Sequence, residues 1–290
     1  MEALHNVTEN QNTAAGLSAV RTIAITSGKG GVGKTNIATN IAIIMRKYKK
    51  KVLLIDLDLG LANIDILLGI HPEYTLQDVI EGRKEVKEII VEGPEGIKIV
   101  PASSGIEDMA NLNANQKEQL YKSFSGLDEE VDIVIADTGA GISSDVLNFV
   151  LASNEILLIT TPEPTAITDA YAMIKVLSRK RKNTTIKLFV NHSDSKDEAD
   201  STVKKIALVS QRFLDVKLEY VGYMLHDQNV SIATRMQKPF TTLYPNTKAT
   251  SCLNKLVATL LKNSDSTQSL GVGDYFRRIT NASALEGQPL

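Results

Sequence analysis

The chain has 290 residues, with 32 Lys and Arg against 34 Asp and Glu, a formal charge of −2, one Cys and no Trp. Its length suits one large or two small domains, and a 43% apolar share can fill a full core. The near-neutral balance excludes a polybasic nucleic-acid arm as the dominant character, though not a local basic patch, and the lone Cys252 excludes a disulfide framework, a four-Cys zinc site and a Cys-ligated cluster within one chain.

Residues 1–20 are polar, lack an apolar signal core and read as a flexible leader. From Arg21, short β-branched runs recur: TIAIT (22–26), KVLLID (51–56), IKIV (97–100), VDIVIAD (131–137), EILLIT (155–160), IKLFV (186–190) and KLEYVGY (217–223). Continuous rather than alternating apolar runs suit strands covered on both faces. Between them lie helical spacings, such as Ile37, Ile41, Ile44 and Tyr48, or Leu253, Leu256, Val257, Leu260 and Leu261. The alternation predicts an α/β fold: a doubly wound, mostly parallel sheet of about seven to eight strands with helices on both faces. The expected organisation is a leader over 1–20, one α/β domain over 21–262, and a polar linker with a short amphipathic tail over 263–290. The polar run at 193–201 reads as a surface loop. No run approaches the ~18 apolar residues of a transmembrane helix, so a reducing, cytoplasmic setting is expected.

The strongest motif is GKGGVGKT, Gly28 to Thr35, after the strand TIAIT and before a helix, the context of a P-loop. Gly28, Gly30, Gly31 and Gly33, with Val32 between them, let the backbone turn and aim N–H groups at phosphate oxygens. The helix N-terminus adds a positive dipole end. Lys34 reaches the β- and γ-phosphates, and the Thr35 hydroxyl ligates Mg²⁺. Asp56 and Asp58 end the strand KVLLID and, one residue apart, face the same side, toward a metal–phosphate site. Asp137 closes VDIVIAD and precedes TGAG, the form of a strand-end acid that holds Mg²⁺ or its water beside a mobile loop.

Lys29 makes the loop (KGGVGKT) resemble the deviant Walker A loop of the MinD/ParA/Get3 class of ATPases. The resemblance implies an ATP-dependent homodimer in which Lys29 crosses to the partner's phosphates, adding charge only when two subunits meet. It also implies that Asp58 orients the attacking water, Asp56 supports the magnesium shell, and Asn63 contacts nucleotide across the dimer. There is no N-K-x-D guanine box; FVNH (189–192) and YMLHDQ (223–228) instead resemble segments that place Asn191 and Asp227 beside adenine. His226 reads as a surface histidine.

Four segments, GLANID (60–65), SSGIEDMANL (103–112), DTGAGIS (137–143) and TTPEPTAITDAYAMIKVL (160–177), resemble the FlhG (YlxH/FleN) flagellar branch of that class. Within the last, Glu163 and Asp169 fit either a partner contact or a helix cap. The resemblance implies control of flagellar number and placement, with ATP/ADP and Mg²⁺ as cofactors. Its implied partners are flagellar regulators or switch components and an FlhF-like GTPase, with no sequence-specific nucleic acid. The nearest match to the family's GTPase-stimulating segment, NTAAGLS (12–18), keeps Ala14, Gly16 and Leu17 but has Ser18 where an arginine would supply transition-state charge. In the tail, Val272, Tyr275, Phe276 and Ile279 form one apolar face, with Arg277 and Arg278 off it. Such a face suits reversible attachment to the anionic inner surface of the cell membrane, or docking on the protein itself.

Overall fold

The structure is a computed structural model that describes residues 20–58, 63–102, 109, 112–182, 184–214, 216–262 and 271–285. The strands are β1 (Arg21–Ser27), β2 (Val52–Leu57), β3 (Val91–Glu92), β4 (Lys98–Val100), β5 (Ile133–Ala140), β6 (Glu155–Thr160), β7 (Thr185–Ser193) and β8 (Lys217–Leu225). They form one sheet in the order β3-β4-β2-β5-β1-β6-β7-β8. Every pairing is parallel except β3 with β4. All seven apolar runs become strands; the two-residue antiparallel edge strand β3 is too short to carry a readable period.

The helices are α1 (Lys34–Lys47), α2 (Ile64–Leu68), α3 (Leu76–Ile80), α4 (Val86–Ile89), α5 (Ala114–Ser125), α6 (Ser144–Ala152), α7 (Pro164–Lys180) and α8 (Lys196–Phe213). After β8 follow α9 (Gln228–Arg235), α10 (Phe240–Leu243), α11 (Lys248–Lys262) and α12 (Val272–Leu285). One core packs α1 and α11 against the sheet through residues such as Ile37, Ile41, Leu253 and Leu256. The opposite face is covered by two further cores, involving α3, α5, α6 and α12 on one side and α6, α7 and α8 on the other. Burial on both faces is the physical reason the strands read as unbroken apolar runs.

Two expectations are corrected. Residues 193–201 are not a loop: Ser193 ends β7, and α8 starts at Lys196, with the Ser195 hydroxyl accepting from the Glu198 N–H. Its polar first turns have the Ser cap, Asp197 and Glu198 near the positive helix end, and a Lys196–Asp200 pair at i,i+4 spacing. The second concerns the tail. Val272, Tyr275, Phe276 and Ile279, expected as a face for lipid or for docking on the protein itself, are all 0% exposed within the core shared with α5 and α6, so the fold takes the docked alternative and not the lipid-facing one. Phe276 stacks on Phe124 with ring centroids 3.8 Å apart, and the Tyr275 hydroxyl donates to the Phe149 carbonyl at 3.2 Å. The Val272 N–H donates to the Asp128 carboxylate at 2.6 Å. Only Arg277 and Arg278 of the expected tail set are exposed, Arg277 lying over the Tyr121 ring. The apolar stripe was legible, but its period does not say which surface it covers.

The leader segment 12–18, most of 103–112 and residues 60–62 lie outside the described residues.

Candidate nucleotide site

The P-loop, Asp56 and Asp137 meet at the carboxyl ends of β1, β2 and β5, near the centre of the sheet. Here β1 lies between β5 and β6, and the chain winds to both sides. Such a switch point leaves a crevice between diverging connections. Gly31 and Gly33 have φ of 77° and 92°, a region that favours glycine, and Gly33 is the N-cap of α1. A Cβ on Gly33 would sit 2.5 Å from the Asn191 Nδ2. At Gly28 a Cβ would lie 2.2 Å from the Asp169 carbonyl oxygen, so α7 can approach the loop only over a glycine. Asp169 therefore meets the P-loop through its backbone.

Lys34 is buried at the start of α1, and Asp56 and Asp137 are register partners on β2 and β5. Side chains at matched parallel positions share a face, so the two carboxylates are neighbours. Asp137 is 1% exposed, and neither of its oxygens has a hydrogen bond of ordinary geometry. Burial, reinforced by the Asp56 charge, pushes its carboxyl up to about 8; the Thr35 hydroxyl and Lys34 act the other way. Asp56 is raised to about 6, again chiefly by burial. It accepts the N–H groups of Asp58 (3.1 Å), Asn63 (3.1 Å) and Ile64 (3.2 Å), so it ties the end of β2 to the start of α2. The Asp58 carboxylate points toward β5, its Oδ1 3.5 Å from where a Gly139 Cβ would stand.

A buried carboxyl with two unmet acceptors beside a lysine and a threonine hydroxyl is an incomplete arrangement that a cation would complete. Among the described residues no group of three or more His, Cys, Asp or Glu is placed to hold a metal alone. Mg²⁺ keeps waters and takes much of its shell from substrate phosphates. Thr35 and Asp137 are the residues that fit it.

Lys29 lies at the rim. Its ammonium donates to the Glu163 carboxylate at 2.5 Å and the Thr165 hydroxyl at 2.9 Å, which keeps it on the N-terminus of α7 of its own chain. That ion pair lowers the Glu163 carboxyl below its ordinary value.

Of the two residues expected beside adenine, Asn191 is held against the loop and Asp227 caps a helix after β8. Asn191 is 1% exposed; its amide donates to the Val32 carbonyl at 2.7 Å and its Oδ1 accepts the His192 N–H at 2.8 Å. It thus ties β7 to the P-loop. Asp227 caps α9, accepting from the Asn229 N–H at 3.0 Å; burial opposes its charge, but the backbone donors outweigh it and lower the carboxyl. Sequence reasoning missed His192, which has φ of 55°, stacks at a tilt on His226 and stands over Gly33. Burial, then the His226 charge, lowers its imidazole. Its position immediately after Asn191 was the only available signal.

A family model described as an AAA domain matches residues 20–190. The chain is 44% identical to the antiactivator FleN of Pseudomonas aeruginosa over 230 residues, 79% of this chain and 82% of that protein. It belongs to the FleN/YlxH branch of the MinD-like P-loop ATPases. The flagellum site-determining protein YlxH of Helicobacter pylori is 31% identical, with 89% of this chain and 88% of that one covered. Among solved structures, the MinC:MinD complex of Aquifex aeolicus superposes with a TM-score of 0.68 at 27% identity, over 87% of this chain and 100% of that one. A Pyrococcus horikoshii MinD complexed with Mg-ADP gives 0.66 at 22% identity, over 86% and 99%, and speaks to the fold alone. Membership in this ATPase family agrees with the buried acid pair and the P-loop at the sheet's switch point.

Proposed function

We propose that the chain is a Mg²⁺-dependent ATPase switch that regulates flagellar number and placement. ATP favours a homodimer in which Lys29 leaves Glu163 and reaches the partner's phosphates, with Asn63 also facing the nucleotide across the interface. Gly28 to Gly33 and Lys34 cradle the phosphates, and Asn191 and Asp227 border the base. Thr35 and Asp137 hold Mg²⁺, with Asp56 behind them; the ion would neutralise phosphate charge. Asp58 orients the attacking water. Hydrolysis resets the dimer and its contacts with flagellar regulators, switch components or an FlhF-like GTPase. The identity to FleN and YlxH supports the flagellar part. The observation that carries the chemistry is Asp137, buried beside Lys34 and Thr35 with both oxygens unmet.

Peripheral membrane attachment belongs to the same reading. Attachment through Val272 to Ile279 requires α12 to leave its seat on α5 and α6.

The test is Asp58→Ala, with phosphate release and ATP-dependent dimerisation measured side by side. Turnover should fall by at least about a hundred-fold while dimerisation persists. Absence of turnover by wild type under dimer-forming conditions would leave a nucleotide-gated scaffold in place of an enzyme.

A further inference from the structure

The near-zero net charge conceals a concentrated basic turn. Residues 46–51, Arg-Lys-Tyr-Lys-Lys-Lys, close α1 and lead into β2. Because α1 is 14 residues long, this turn lies about 20 Å from the P-loop, on the opposite end of the sheet. Its shape is fixed by the backbone: the Lys49 N–H donates to the Arg46 carbonyl at 2.8 Å, the Lys50 N–H donates to the Met45 carbonyl at 3.2 Å, and Lys49 has φ of 60°. Residues 47–51 are all exposed, and Tyr48 at their centre is 50% exposed.

Neutralisation inside the molecule is incomplete. The Arg46 guanidinium donates to the carbonyls of Glu95 and Lys50, and the Lys51 ammonium to the Glu129 carbonyl, none of them to a carboxylate. Glu130, the nearby acid, is occupied by Lys87 and Lys98, each at 2.6 Å, which hold its carboxyl down at about 2. Among the described residues Lys47, Lys49 and Lys50 make no ion pair. Beside them Arg46, Lys51 and Lys98 line a hollow of about 290 Å³, which Val52, Gly96 and Glu130 complete. The negative end of α1 explains cations at Arg46 and Lys47, but Lys49 and Lys50 lie beyond it.

We propose that the Arg46–Lys51 turn is a contact site for the phosphate headgroups of an anionic membrane, with Tyr48 seated at the interface. Clustered cations on a protruding turn are attracted by an anionic leaflet, and tyrosine suits the boundary between headgroup and acyl chain. The hollow provides a place for one headgroup phosphate. Because the apolar face of α12 is buried, this turn meets a membrane without any rearrangement of the fold. The inference rests on the peripheral-membrane part of the proposed function and assigns it a different surface.

The test is flotation of the full chain, with and without Mg-ATP, on vesicles of phosphatidylcholine alone or mixed with phosphatidylglycerol. Wild type should bind only the anionic vesicles, and less as salt rises. The triple variant Lys47→Gln, Lys49→Gln, Lys50→Gln should lose binding by roughly a hundred-fold, at about five-fold per lysine. Its ATP turnover and melting temperature should match wild type, since none of the three touches the nucleotide site. Undiminished binding by the triple variant would overturn this inference and leave peripheral attachment standing through another surface. Failure of wild type to bind either vesicle, in both nucleotide states, would overturn both. Loss of DNA binding by the triple variant without any vesicle binding would reassign the turn to nucleic acid and overturn the membrane assignment.

Discussion

A glycine at position 273 distinguishes a docked helix from a free tail by the sign of one substitution. In an isolated amphipathic helix, Gly273→Ala favours the helix by about 1 kcal/mol, because alanine loses less backbone entropy. In the docked α12, the added Cβ would stand 2.0 Å from the Ser125 Oγ and 2.8 Å from the Tyr121 carbonyl oxygen. The serine hydroxyl can rotate aside, but the carbonyl belongs to the backbone of α5 and cannot. Displacing α12 would loosen the Phe276–Phe124 stack and the Tyr275 hydrogen bond, a net loss of about 1–3 kcal/mol. Phe276→Ala removes a fully buried ring and should cost about 3–5 kcal/mol, whereas the exposed Arg278→Ala should change stability by less than about 0.5 kcal/mol. Urea titration of the nucleotide-free protein measures all three, with the slope m showing whether cooperativity is retained. If Gly273→Ala is as stable as wild type or more so, and Phe276→Ala unfolds within about 0.5 kcal/mol of it, the docked helix is refuted.

Three further outcomes follow from charged groups, two of them buried and one at the rim of the site. Asp137→Asn should stabilise the nucleotide-free protein in EDTA at pH 7 while abolishing Mg-ATP binding, as seen by thermal melting and isothermal titration. The carboxyl is raised from 3.8 to about 8, so its contribution is intact below pH 3.8 and declines as pH rises to about 8. At pH 7 relief of that penalty is worth up to about 4 kcal/mol, and lowering the pH toward 5 should shrink the advantage. Glu155→Gln breaks a buried triad with Arg21 and with Lys187 at 2.6 Å, leaving two cations short of a counter-charge; a loss of about 3–5 kcal/mol should appear in urea titration. The Glu155 carboxyl, penalised by burial but more strongly held by its cations, lies below its ordinary 4.5; its stabilisation is therefore present above that value and lost as pH falls through the lowered one. Glu163→Gln should free Lys29 and lower the ATP concentration for half-maximal dimerisation several-fold, read by sedimentation velocity; an unchanged midpoint would show that the cis pair offers no resistance.

The legibility of the sequence tracked how local each signal was. TIAIT followed by GKGGVGKT predicted β1, the loop and α1 because all three are contiguous and glycine positions restrict the turn. Asp56 and Asp137 were each readable as strand-end acids. Their pairing was not, since it depends on β2 and β5 being sheet neighbours although 75 residues and several elements intervene. Lys29 was readable as unusual; its bond to Glu163 spans 134 positions and was not. The run at 193–201 misled because polar composition suggested a loop, while Ser195 and its acidic first turn are equally a helix start.

The sequence alone determined the phosphate loop, the acids at the strand ends and the α/β alternation, because those depend on chain neighbours and on a short repeat of apolar residues. It also determined that one stripe from Val272 to Ile279 must be covered. Only tertiary structure decided by what: Gly271 and Gly273 let α12 close on Asp128 and α5, so the stripe completes this protein's own core. An amphipathic period states that apolar area must leave water, and long-range packing chooses the surface that receives it.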